Sequence, residues 1–158
     1  ARIGKGTIYI YFRSKENLLV EILREGLGDL QASIERRLLQ CPDESVAKLR
    51  AIVTELATFA ISRPYMYSLV RSVLPRSCET GLSGIHKGIV KKIVEVIEKG
   101  VERGDFADTH PALTAHYLLG AVRGVAISGP GKLSAEEFAE HLMVVFGRGL
   151  CAREGASR

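Results

Sequence analysis

Apolar residues return at every third or fourth position along nearly all of the 158-residue chain. That spacing restricts it to helices, because a strand would need alternation at every second residue. After Ser14, placed as an N-cap, the stripe runs through Leu18, Leu19, Ile22, Leu23, Leu27, Leu30, Ile34 and Leu38, and Pro42 ends it. Gly26 and Gly28 each weaken that helix by about 1 kcal/mol relative to Ala, so a bend is expected there. A second helix starts at Asp43 or Ser45 as cap and buries Val46, Leu49, Ile52, Val53, Leu56, Ala57 and Ala60. Pro64 closes that helix and opens a short one, and "PRSCETGLSG" reads as a hinge or loop.

Next, Ile85, Ile89, Ile93, Ile97 and Val101 keep a four-residue step, with Val90, Val94 and Val96 widening the face. A helix so broadly apolar is expected at the centre of the fold. Asp108 or Thr109 caps the following helix, with Pro111 in its first turn and the small residues Ala115, Gly120, Ala121 and Gly124 along it. "GPGKL" is a break, and Ser134 with Glu137 forms a capping box that opens a last helix running to Leu150. The tail "AREGASR" is expected to fray. About seven helical segments with no strand series define an all-α bundle, free of internal repeats.

Composition narrows the function. With 46% hydrophobic and 25% charged residues the chain is globular rather than disordered. No apolar run nears the roughly 20 residues that span a bilayer, and no signal peptide opens the sequence, which points away from a membrane and toward the cytoplasm. Cys41, Cys78 and Cys151 are odd in number and far apart, as suits a reducing compartment. Of the formal net charge of +4, the side chains of residues 1–24 hold +3, so an anionic partner is sought at that end. The four histidines form no HExxH, the cysteines form no CxxC, and "GKGT" lacks the full phosphate-loop pattern. No catalytic residue, metal site or cofactor is expected, and the chain does not read as an enzyme.

The opening "GKGTIYIYFRSKENLL" is too rich in Tyr, Ile and Phe for an ordinary surface loop. A helix of one or two turns does not persist alone, so this one must be clamped between neighbours. A short basic helix following a tight turn has the form of the second helix of a helix-turn-helix. The stretch closely resembles the signature of the tetracycline-repressor (TetR) family of bacterial transcriptional regulators. The match falls on Gly6, Thr7, Tyr9, Phe12, Ser14, Lys15, Glu16 and Leu18, about a tenth of the chain. The order of the later helices is similar as well.

The resemblance implies a helix-turn-helix remnant joined to a helical-bundle regulatory domain. Residues 1–30 would be a partial DNA-binding domain and 31–158 a ligand-binding and dimerisation domain. The family's first two helices would precede Ala1, so the chain is expected to be truncated at its N-terminus. Lys5, Thr7, Ile8 and Tyr9 would lie on the recognition helix, Tyr11 near the sugar-phosphate backbone, and Lys15 on a phosphate at the start of the next helix. Arg2 stands where the family commonly has a small turn residue, and would add a phosphate contact. Phe12 would belong to the small core of the DNA domain.

For the regulatory part the resemblance implies a small-molecule effector and a homodimer built by the last two helices. Aromatic and polar groups inside apolar runs supply candidates for an effector site: Tyr65, Met66, Leu69, Arg71, His86, Ile89, His116, Tyr117 and Arg123, with Tyr67 in the same mixed stretch. Leu118, Leu119, Val122, Val125, Leu142, Val145 and Phe146 offer the apolar surface for the dimer. The resemblance thus implies a ligand-responsive regulator, a repressor that binds a palindromic double-stranded DNA operator as a homodimer and is released by a small molecule. The alternative is a helical ligand-binding or scaffold protein without DNA-binding activity.

Overall fold

The computed structural model describes residue 12 and residues 14–73, 82–129 and 131–150. The recognition-helix residues, residues 74–81 of the expected hinge and the C-terminal tail lie outside these. Every element among the described residues is helical: α1 (Lys15–Gln40), α2 (Ser45–Ser62), α3 (Pro64–Val73), α4 (Leu82–Glu102), α5 (Pro111–Ser128), α6 (Ala135–Leu142), a π-helical turn (Met143–Gly147) and a final turn α7 (Arg148–Leu150).

Ser14 caps α1, its hydroxyl accepting from the backbone N–H of Asn17 at 3.2 Å. The buried stripe is Leu23, Gly26, Leu30 and Ile34, spaced three, four and four. Gly26 marks a close approach within an uninterrupted 26-residue helix. A Cβ there would stand 2.3 Å from the terminal methyl of Met66, so any larger residue requires the methionine tip to shift.

The central helix is α2, where the periodicity placed 82–102. It packs against α1, α3, α4, α5 and α6. Ala51, Ala57 and Ala60 are buried alongside Leu49, Ile52, Val53, Leu56 and Phe59, and the small residues let neighbours close in from several sides. In α4 only Leu82, Ile89, Ile93, Val96, Ile97 and Gly100 are buried, while Lys91, Glu98 and Lys99 keep one face in water. Its flanking Ile85, Val90 and Val94 widen the stripe without closing it into a full circle.

Two caps differ from expectation. The N-cap of α2 is Glu44, with no side-chain hydrogen bond to the helix. Ser45 is buried, and its hydroxyl has no hydrogen-bond partner. Asp43 instead reaches sideways to Lys48 and to Arg103, whose Nη2 donates at 2.8 Å while its Nη1 donates to the Asp43 carbonyl at 2.6 Å. These bonds tie the α1–α2 connection to the end of α4, and they hold the Asp43 carboxyl down to about 2. Before α5 the N-cap is His110, and Asp108 acts two residues earlier, its Oδ1 accepting from the His110 N–H at 2.8 Å.

The exit from α4 is a glycine-dependent turn. Gly104 takes φ +78°, and the N–H groups of Asp105 and Phe106 both donate to the Gly100 carbonyl, at 2.8 and 3.1 Å. The Phe106 ring folds back onto Gly100, where a Cβ would stand 2.1 Å from Cδ2. The Ala107 N–H then donates to the Leu150 carbonyl at 2.6 Å, which anchors the far end of the chain.

The capping box at Ser134 and Glu137 is present in both directions, at 3.1 and 2.8 Å. The helix it opens does not run uniformly to Leu150: one π-helical turn interrupts it, with the Met143 methyl 3.1 Å from where a Gly147 Cβ would lie. Among the described residues no helix is long and apolar enough to cross a membrane, and no cluster of His, Cys, Asp or Glu could hold a metal ion.

Candidate functional site

Helices α1 to α5 enclose a cavity of about 390 Å³, within the range that small-molecule sites occupy. Leu23, Leu27 and Leu30 of α1, Leu56 of α2, Val70 of α3, Leu82 and Ile89 of α4 and Leu119 of α5 make its wall. The same stripes that hold the bundle together thus turn their edges toward the void. Tyr67 supplies a hydroxyl. Its ring meets Phe59 edge to face at 6.0 Å, and burial pushes its ionisation up to about 12, so the group stays neutral and can donate.

The polar part of the lining has one sign. Ser83, His86 and Lys87 come from the first turns of α4 and Arg123 from α5, and among the described residues no carboxylate lines the cavity. His86 keeps solvent access while the wall strips part of its hydration. That desolvation lowers its pKa first, and the charges of His116 and Arg123 lower it further. A second depression of about 340 Å³ lies between α1 and α2, where Asp29, Glu55 and Arg63 already have partners. Arg63 donates to Asp29 at 3.0 Å and Ser33 to Glu55 at 2.5 Å.

Of the residues singled out in the sequence, His86, Ile89 and Arg123 lie on the lining of the larger cavity. Met66 is buried against Gly26, and Leu69 is half-buried at the edge of the core. Tyr65, His116 and Tyr117 are exposed, and the side chain of Arg71 lies outside what is described. The leucines of α1 and Lys87 were not anticipated as lining. Lys87, adjacent to His86 in the apolar run "GIHKGIV", was the available signal.

At the opposite end, Lys15 is exposed on the first turn of α1 and Phe12 is half-buried. Arg2, Lys5, Thr7, Ile8, Tyr9 and Tyr11 lie outside the described residues. Among the residues read as dimer surface, Leu118, Val122 and Leu142 are buried in the chain's own core, because they stand on the inward stripes of α5 and α6. The exposed apolar side chains of these last helices are Leu113, Tyr117, Ile127, Val144 and Val145. Leu119, Val125 and Phe146 lie between the two, half-buried against the core.

An α-helical bundle around an apolar cavity matches a known family. Residues 42–150 fit the family described as tetracyclin repressor-like, C-terminal domain. The chain belongs to the TetR family. TetR regulators are non-catalytic DNA-binding proteins. The HTH-type transcriptional repressor DhaR of Mycobacterium sp. (strain GP1) is 29% identical over 157 residues, covering 92% of this chain and 76% of that protein. Among solved structures, the ketosteroid transcriptional regulator KstR2 of Mycobacterium tuberculosis superposes with a TM-score of 0.82 at 20% identity, covering 96% of this chain and 80% of the other. AibR, solved in complex with isovaleryl coenzyme A and operator DNA, gives 0.75 at 20% identity, covering 92% and 82%. Both structures share the TetR fold seen here.

Proposed function

We propose that this chain is a ligand-responsive transcriptional repressor that binds a palindromic DNA operator as a homodimer in the cytoplasm and is released by a small molecule. The observation that carries the reading is that α1 serves both ends: Lys15 stands exposed on its first turn, and Leu23, Leu27 and Leu30, two to four turns on, form one wall of the cavity. A molecule that enters must touch the helix that joins the two parts. Residues 1–30 belong to the DNA-binding part and 31–158 to the regulatory part, with α1 shared across that line.

The dimer is built by the exposed apolar positions of α5 and the last helix, where Tyr117 and Val145 are 64% and 52% exposed. A twofold axis there presents two recognition helices to successive major grooves, with Lys5, Thr7, Ile8 and Tyr9 toward the bases and Arg2, Tyr11 and Lys15 toward phosphates. An effector releases DNA only through its differential affinity for the two arrangements of the pair. The DhaR relative is named as a repressor, and the AibR structure holds both an acyl thioester and operator DNA, which supports this assignment.

The test is selection of duplexes bound by the full-length protein, followed by footprinting and a screen for compounds that release the selected site. Protection of a palindrome, steep weakening with salt, and loss of binding when Lys15 and Tyr9 are replaced together are the expected results. A protein that enriches no duplex would return the function to the helical body alone.

A further inference from the structure

We propose that the cavity binds an amphipathic organic anion, with an apolar chain among the leucines and an acidic head at the mouth beside Arg123, Lys87 and His86. This deepens the reading of the cavity as the effector site and rests on it. The wall and the mouth make different demands. Eight aliphatic side chains form the wall, so the body of the ligand must be hydrocarbon. Among the described residues the charged part of the lining is wholly basic, and neither Lys87 nor Arg123 pairs with a carboxylate.

Several basic side chains elsewhere in the bundle do meet a carboxylate. Arg63 meets Asp29, Arg37 meets Glu55, Arg50 meets Glu140, and Arg103 meets Asp43. At the mouth the charges of His116 and Arg123 act on His86, and among the described residues no acidic group is set against them there. Like charges held together beside an apolar void repel one another until an anion joins them. An alcohol of equal chain length would fill the wall equally but leave the mouth unsatisfied, and an amine would add to the repulsion. A ring of neutral groups would give the opposite order, because a carboxylate gives up more hydration than a hydroxyl on entry.

The shared chemistry is an acyl chain bearing negative charge, whether a free carboxylate or a thioester on a phosphate-bearing carrier. Calorimetric titration of the full-length protein with carboxylates of six to twelve carbons, their alcohols and amines, and the matching acyl coenzyme A thioesters tests the ligand class and separates the two sources. The expected order is carboxylate or thioester first, alcohol second and amine last. Arg123→Gln and Lys87→Gln together lower affinity for the anion about ten-fold while moving the alcohol less than about two-fold. Both side chains are exposed, so each single variant also keeps its fold and reports separately.

Alcohol binding as tight as its carboxylate, an equal loss of both ligands in the double variant, or no binding anywhere in the series would overturn the proposal. Because binding is read without DNA, a protein that takes the anion yet never releases its operator upholds the ligand class and overturns the regulatory reading instead.

Discussion

Replacing Gly26 by Ala tests whether the close approach of α3 to α1 is a built contact. In an open helix interior the change would stabilise by about 1 kcal/mol through propensity. Here the new methyl would lie 2.3 Å from the Met66 terminal carbon, far inside the 3.5–4.0 Å of an ordinary carbon contact. Overpacking costs about 1–3 kcal/mol, and the flexible end of a methionine keeps the cost toward the lower limit. The two terms nearly cancel, so G26A should be neutral or destabilise by up to about 1 kcal/mol. Met66 is 2% exposed, so M66A alone should cost about 2–5 kcal/mol by leaving a cavity. In that background the methyl introduced by G26A enters vacated space, and the substitution should stabilise by the full propensity of about 1 kcal/mol. The effect of G26A thus differs between backgrounds by about 1–2 kcal/mol, a coupling that urea unfolding of the four proteins at one concentration can resolve. A G26A protein stabilised by about 1 kcal/mol in both backgrounds would refute the contact.

Three further outcomes follow from the same structure. Gly100→Ala drives a methyl into the rigid, buried Phe106 ring rather than a flexible tip, so it should destabilise by about 1–2 kcal/mol net of the gain in propensity, read by thermal unfolding. Asp43→Asn should lower the melting temperature at neutral pH. Because the folded carboxyl is held down to about 2, below its ordinary 3.8, its contribution is present above about pH 4 and fades as pH falls toward 2, so the two melting curves should converge there. Val145→Glu places a charge on the exposed apolar face of the last helix and should convert a dimer to monomer in sedimentation without lowering the helical signal.

How much of this was legible in the sequence varied with what sets each feature. Helix starts and stops came through clearly at Ser14, Pro64, Pro111 and Ser134, because caps and prolines act within a few residues of themselves. The central helix did not, since periodicity reports how wide an apolar face is but not how many neighbours share it. The alanines of α2, weak hydrophobes on any scale, let other helices crowd around it, while the isoleucines of α4 face inward along one side only. Asp43 looked like a cap because its partner Arg103 lies 60 residues away. The cavity was half legible for the same reason: His86 and Arg123 stood out as charges in apolar runs, whereas Leu23 and Leu27 looked like any other core leucines until five helices were set around a void.

The unbroken hydrogen bonding of α1 also has a mechanical meaning. Lys15 and Leu27 are twelve residues apart on it, about 18 Å at the rise of an α-helix. Pivoted near the leucines, such a rod swings its tip by about 1.5 Å for a tilt of about 5°. A displacement too slight to disturb the packing around the void is therefore amplified at the lysine into half the length of a hydrogen bond.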